Sequence, residues 1–142
     1  MRVFGHPLHP MLVHFPIAFW TLATVCDALA LAGLAQTWRF GWLALAIGTT
    51  AALPTAIAGL LDFARLEARA MKTGTLHMAL MGCAFLVYTA ALGLRTRAWA
   101  PLPVPGLSAI LCSVAGFLLL AIGGHFGAAL VYRYSAGREE TR

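Results

Sequence analysis

Charged residues are scarce in this chain. Lys, Arg, Asp and Glu make up 11% of its 142 residues, against about 25% in an ordinary soluble domain. Hydrophobic residues reach 61% and the mean hydropathy is +0.81, which excludes a water-exposed surface of normal polarity. We therefore expect the chain to lie in a membrane.

Several kinds of chemical motif are absent as well. The three cysteines, Cys26, Cys83 and Cys112, fall singly on different predicted helices, so there is no C-x-x-C pair and no C-x-x-C-H haem-attachment motif. The sequence also has no G-x-S-x-G, no phosphate-binding glycine loop and no close carboxylate pair, so hydrolases and kinases would lack their working parts. We find no low-complexity segment and no convincing internal repeat. Whether the protein is an enzyme stays open, and a quinone or electron-transfer reaction is compatible with these absences.

What the chain does have is long apolar runs. A helix needs about 20 mostly apolar residues to cross the hydrocarbon core of a bilayer. Four stretches qualify: Met11 to Leu34, Phe40 to Phe63, Thr75 to Leu94 and Leu107 to Tyr132. Because the links are short, neighbouring helices should run antiparallel. The prediction is an all-α fold, an up-down bundle of four transmembrane helices, formed by a single domain over residues 1–142.

Basic residues are unevenly divided between the two ends of such a bundle. The termini and the second link carry seven Lys and Arg residues, and the other end carries three, Arg39, Arg95 and Arg97. The positive-inside rule then places both termini in the cytoplasm. The net charge of +5 is interpreted as this topology signal and as an attraction to anionic lipid, so nucleic acid is not an expected partner.

All the histidines fall in the cytoplasmic half once the helices are threaded up and down. They are His6, His9, His14, His77 and His125. The first two each precede a proline, which favours an extended entry segment. His14 lies about one turn into the first helix, next to the kink expected at Pro16. His77 lies near the start of the third helix, and His125 lies roughly 10 Å below the end of the fourth. Ionisable groups at such depth suggest function by default.

One chemistry that uses imidazoles from separate helices is b-type haem. It needs two axial nitrogens, small residues beside the porphyrin and cations near the propionates. The cofactor-binding candidates are His14, His77, His125, Gly123 and Gly124. His14 and His77 are favoured as the axial pair, with the remaining histidines as substitutes. The two glycines would make room for the ring, although ordinary helix packing through small residues explains them equally well.

The other chemistry is a bare transition-metal ion bound by imidazole nitrogen. The candidate metal ligands are His6, His9, His14, His77 and His125. Prolines next to the first two would stiffen that segment before it binds. Asp62 is a candidate for orienting one imidazole, although solvation at the interface or pairing with Arg65 explains it more simply.

Asp27 is a separate case, because it lies about 20 Å from His14 along the helix axis. Pairing with Arg39, Arg95 or Arg97 is the default interpretation. A protonated carboxyl, a proton path and a quinol pocket are the alternatives.

Several motifs resemble a known family. They are G-H-P-L-H-P-M-L-V-H-F-P from Gly5 to Pro16, G-L-L-D from Gly59 to Asp62, and G-G-x-x-G-A-A-L-V-Y-R-Y ending at Tyr134. Together they are similar to a bacterial four-helix membrane family known as domain of unknown function 2231, over nearly the whole chain. The resemblance implies the bacterial inner (plasma) membrane. It also implies redox partners of the Rieske or cytochrome type, which favours haem over a bare metal.

The family pattern also implies which positions are shared. It falls on His6, His9, His14, Asp27, Asp62, His77, Gly123, Gly124 and Tyr132. Because His125 stands outside that pattern, the implied common ligands are His14 and His77, with His9 as a third candidate.

Two functions are therefore expected. The first is a small b-type cytochrome-like protein that passes electrons between membrane quinone and a redox partner, with histidine-ligated haem b near the cytoplasmic face. The alternative is a non-catalytic or metal-handling subunit of a larger membrane complex, with a transition-metal ion in place of haem. Besides the lipid bilayer, the partner classes are a quinone, a redox protein or larger membrane complex, and a second copy of the chain.

Overall fold

The computed structural model describes residues 2–3, 6–101 and 106–136, with side chains from Leu8 onward. Four helices in this part are long and apolar enough to cross a membrane, which confirms the predicted all-α four-helix bundle. In chain order the elements are β1 (Arg2–Val3), β2 (His6–Pro7), α1 (Leu8–Leu12), α2 (His14–Leu31), α3 (Thr37–Phe63), a short 3₁₀ turn (Ala68–Ala70), α4 (Met71–Leu94), β3 (Thr96–Arg97), β4 (Ala100–Pro101) and α5 (Leu107–Tyr134).

The first helical span differs from the predicted one at both ends. It runs over Leu8–Leu31, because Gly33 adopts φ +102° and ends the helix. The backbone N–H of Leu34 then donates to the carbonyl of Leu29, as in a glycine-terminated helix. At the other end, His9 lies inside α1 and not in an extended segment, because a proline in the first turn of a helix lacks only an N–H that would be unpaired there. The backbone of His6 is extended as expected, in the pair β1–β2.

The helices pack as two antiparallel hairpins. α2 packs along α3 and α4 along α5, with smaller contacts between α2 and α5 and between α3 and α4. This arrangement places α2 and α4 diagonally across the centre of the bundle. One end of the bundle, here called the terminal end, holds the start of α1 and the ends of α3 and α5. The opposite, distal end holds the α2–α3 and α4–α5 links.

The two hairpins are structural repeats of each other. Trp20 packs so closely on Gly48 that a Cβ there would lie 2.8 Å from the indole, and a Cβ on Gly116 would lie 2.9 Å from the ring of Tyr88. Tyr88 and Gly116 each follow their counterparts by 68 residues. The two rings stack on each other at the centre of the bundle, with centroids 4.8 Å apart. Both hairpins begin at the same end, so the pseudo-two-fold axis runs along the bundle.

This finding corrects the expectation that the chain has no internal repeat. The residues that correspond often differ in type, as Trp20 and Tyr88 do, and as Asp27 and Arg95 do at the same spacing of 68 residues. The repeat therefore preserves the size and position of side chains more than their identity, and the sequence alone does not reveal it readily.

Candidate functional site

Asp27 and Arg95 form a buried ion pair near the distal end. Their exposed side-chain fractions are 2% and 0%. The Arg95 Nη1 and Nη2 atoms donate to the two carboxylate oxygens of Asp27, each at 2.9 Å. Of the three arginines considered as partners for Asp27, the structure therefore selects Arg95.

Every guanidinium nitrogen of Arg95 has at least one acceptor. Its Nε donates to the carbonyl of Ala91 at 3.1 Å, and Nη2 reaches the carbonyl of Ala109 and the hydroxyl of Ser113. The guanidinium also lies over the ring of Trp38, 4.3 Å from its centroid, in a cation–π contact. A pair bound this completely joins α2, α4 and α5, and we assign it a structural role.

Two histidines face each other across the axis near the terminal end. The ring centroids of His9 and His77 are 6.5 Å apart and the rings are nearly perpendicular. The Nδ1–H of His9 donates to the carbonyl of Thr55 at 3.0 Å, and that of His77 donates to the carbonyl of Gly123 at 2.9 Å. A carbonyl oxygen can only accept, so the proton of each neutral ring resides on Nδ1. The Nε2 atom of each ring then carries a free lone pair.

Glycines hold these rings in place. A Cβ on Gly59 would lie 3.0 Å from Cε1 of His9, and one on Gly127 would lie 2.9 Å from Cε1 of His77. Each glycine comes four residues after the carbonyl that accepts from the same imidazole, so one helical face supplies both contacts. The two contacts match in the two halves of the repeat, and both hydrogen bonds span 46 residues of sequence.

A cavity of about 280 Å³ adjoins the two rings. Apart from the two imidazoles and Thr55, its walls are apolar, and they include Trp20, Phe85, Met78 and Met81. The hydroxyl of Thr55 donates to the carbonyl of Ala51. The two imidazoles therefore supply the free nitrogen lone pairs at this cavity.

The structural repeat is uneven at the wall of this cavity. Its wall includes Ala52 and the exposed Gly82. The equivalent positions in the other half carry Leu120 and His14. The small side chains of α3 and α4 thus leave room for the cavity, and Leu120 itself forms part of its wall.

The predicted axial pair is not the pair that the structure brings together. His14 starts α2 with its side chain exposed, and it does not line the cavity that His77 lines. His125 is also exposed, with its ring against that of Phe126. The side chain of His6 lies outside the described residues. Of the candidate histidines with described side chains, His9 and His77 are thus the two that meet.

The two glycines proposed to flank a porphyrin have different surroundings. Gly123 is buried, accepts the hydrogen bond from His77, and would direct a Cβ into Met81. Gly124 is exposed, with nothing within 4 Å of a Cβ. Gly123 therefore serves helix packing and the orientation of His77.

Groups of three or more potential metal ligands are not found in the described part of the chain. Among residues 2–3, 6–101 and 106–136, no group of three or more His, Cys, Asp and Glu side chains is placed to hold a metal ion. Asp62 is half-buried at the end of α3. A site shared by three of the candidates His9, His14, His77 and His125 is therefore not found among the described side chains, and of these four histidines only His9 and His77 come together.

The class of protein follows from these observations: an integral membrane bundle of four helices, built from two hairpins related by a pseudo-two-fold axis, with a pair of imidazoles on that axis. The family described as predicted membrane protein (DUF2231) matches residues 5–140, so the chain belongs to this family. No curated protein and no solved structure matches it.

Proposed function

We propose that this protein binds one transition-metal ion in the membrane, with Nε2 of His9 and Nε2 of His77 as ligands. The observation that carries the proposal is that both imidazoles donate Nδ1–H to backbone carbonyls. Metal-binding histidines almost always make this hydrogen bond, because it fixes the ring and leaves the other nitrogen free for the ion. Of the two functions expected from the sequence, the metal-handling one is thus favoured.

The spacing of the rings supports a shared ion. Imidazole nitrogens lie about 2.0–2.1 Å from a bound metal, so the centroids of two rings on one ion are roughly 5–6.5 Å apart, depending on the angle at the metal. The observed 6.5 Å is at the upper end of that range. The centroid distance is therefore compatible with two rings on one ion.

A b-type haem is the second candidate. It is favoured by the position of the two imidazoles on diagonal helices, one on each side of the axis. The cavity argues against it. Sites for drug-sized ligands measure about 300–1,000 Å³, a haem is no smaller than such ligands, and this cavity measures about 280 Å³. Haem would require the helices to separate, whereas an ion would not.

Metal analysis and visible spectroscopy of the purified full-length protein test the proposal together. We expect a colourless or weakly coloured protein with one metal ion per chain, which is lost in His9→Ala and in His77→Ala. His14→Ala and His125→Ala are matched controls, because both side chains are exposed, and they should retain the ion. Sharp haem bands in the reduced protein would favour b-type haem over a bare ion. Equal metal content in all four variants would refute His9 and His77 as ligands of either an ion or a haem.

The orientation of the site is part of the same proposal. We propose that the terminal end of the bundle lies at the cytoplasmic face of a bacterial inner membrane, because most of the Lys and Arg residues are at that end. The ion would then be exchanged with cytoplasmic partners or with a larger membrane complex. If the ion is redox-active, it could also exchange electrons with a membrane quinone, which is the reaction expected of the cytochrome-like function. Reporter fusions to the C-terminus and to the α2–α3 link distinguish the two orientations.

A further inference from the structure

Two methionines share the cavity with the histidine pair. Met78 and Met81 line the same space as His9 and His77. Met81 is four residues after His77 on α4, so the two side chains lie on the same helical face. The Sδ atom of Met81 also lies 3.6 Å from where a Cβ on Gly123 would be, and the carbonyl of Gly123 is the one that holds His77. One residue of α5 thus positions both the thioether and the imidazole.

Few side chains near this cavity could serve as a third ligand of the ion. In the described part of the chain, no third His, Cys, Asp or Glu joins the histidine pair. The residues that repeat symmetry places opposite Met78 and Met81 are Pro10 and Val13, neither of which has a donor side chain. The repeat therefore offers an imidazole from each half but a thioether from α4 alone.

This donor set discriminates between metals by softness and by charge. Thioethers are soft ligands that select Cu(I), whereas Zn²⁺ and Mg²⁺ favour harder or anionic partners. Two neutral imidazoles and a thioether also supply no negative charge. The cost of moving an ion from water into an apolar cavity rises steeply with its charge, so a monovalent ion is favoured over a divalent one.

We infer that the ion is Cu(I) and that the Met81 thioether completes a His9–His77–Met81 site. The inference rests on the proposed function, because it takes the histidine pair as ligands, and it adds the identity of the metal and the third donor. Met78 also lines the cavity, but the methionine atoms nearest to a Cβ on Gly123 belong to Met81, so we assign Met78 to the wall.

The test is an anaerobic competition between the full-length protein and a Cu(I) chelator, together with copper X-ray absorption. The variants are Met81→Leu, Met78→Leu and, as a matched control, Met71→Leu, which changes a methionine that is 39% exposed at the start of α4. Leucine keeps the volume and the apolar character, so size-exclusion profiles and helical content should be unchanged. Met81→Leu should weaken Cu(I) binding at least about 10-fold, because even the loss of an outer-shell partner of a ligand typically costs that much. It should also remove a sulfur neighbour at about 2.3 Å from the copper.

Each other outcome has a distinct meaning. If copper binding requires both histidines but Met81→Leu leaves affinity and sulfur scattering unchanged, the thioether assignment fails and the histidine site stands. If Met78→Leu produces the loss instead, the assignment to Met81 is wrong. If the wild-type protein binds Zn²⁺ more tightly than Cu(I), the inferred selectivity is wrong. If His9→Ala and His77→Ala bind Cu(I) like the wild type, the proposed function fails as well.

Discussion

Asp27 and Arg95 meet as a two-pronged ion pair near the distal end of the bundle, and they correspond to each other in the structural repeat. Both contacts measure 2.9 Å, and 68 residues separate the two partners. In a bundle of two identical hairpins, this position near the axis would face its own copy, and two aspartates or two arginines would repel. The pair therefore makes the two halves complementary at this point, and it favours one way of joining them.

The first prediction concerns the stability of this pair. Arg95→Met should destabilise the bundle by about 3–5 kcal/mol, because it leaves a carboxylate buried without its partner. Thermal or denaturant unfolding in detergent measures the loss. Arg39→Met and Arg97→Met are matched controls, since both arginines are exposed at the same end, and each should change stability by less than about 0.5 kcal/mol.

Charge reversal gives the same relationship a stricter test. Asp27→Arg alone should be at least as damaging as Arg95→Met, and the double variant Asp27→Arg with Arg95→Asp should recover part of the loss. Recovery should be incomplete because Ser113 and Trp38 are placed to serve a guanidinium on α4. A double variant no better than the single ones would show that the pair itself contributes little.

A second prediction tests the structural repeat. Gly48→Ala and Gly116→Ala should destabilise the protein by similar amounts, about 1–3 kcal/mol each, because the new Cβ overlaps Trp20 in one case and Tyr88 in the other. Gly93→Ala is the control, because nothing lies within 4 Å of a Cβ there, and it should be neutral or mildly stabilising. Markedly unequal losses would mean that the two halves do not pack equivalently.

The sequence predicts the helices well and the meeting histidines poorly, for one physical reason. Length and apolarity identify four membrane-crossing segments without further information. Which face of each segment points inward depends on rotation about the helix axis, and these helices are apolar on all faces, so no polar stripe reveals it. Residues five apart on a regular helix lie about 140° apart around it. Whether His9 or His14 points into the bundle therefore depends on which face of the first span is turned inward.

Small residues carry the missing information. Gly59 and Gly127 lie under the two imidazoles, and their shared spacing from His9 and His77 identifies the pair once the repeat is recognised. The partner of Asp27 was limited in advance to three arginines because few cations occur at that end. Choosing among them required the rotation of α4, which places Arg95 inside and leaves Arg97 exposed.

A third prediction concerns these glycines. Gly127→Ala should displace the ring of His77, lengthen its hydrogen bond to Gly123, and lower metal occupancy of the purified protein. Gly59→Ala should do the same through His9. Gly124→Ala is a control on α5, because its Cβ would enter open space. Occupancy that is unchanged in both variants, in a folded protein, would show that ring position does not control binding.

The last prediction is that the ion stabilises the fold, because its ligands come from both hairpins. Binding to the folded state alone stabilises a protein by about 2.7 kcal/mol when the free ion is 100-fold above its Kd. Anaerobic addition of Cu(I) should therefore raise the unfolding temperature of the wild-type protein, and a chelator should reverse the rise. His77→Ala also removes the hydrogen bond to Gly123 and starts from a lower stability, so the informative quantity is the copper-dependent shift within each variant. That shift should vanish in His77→Ala and persist in His14→Ala. A shift of equal size in both variants would mean that copper binds elsewhere, and the proposed site on the pseudo-two-fold axis would be wrong.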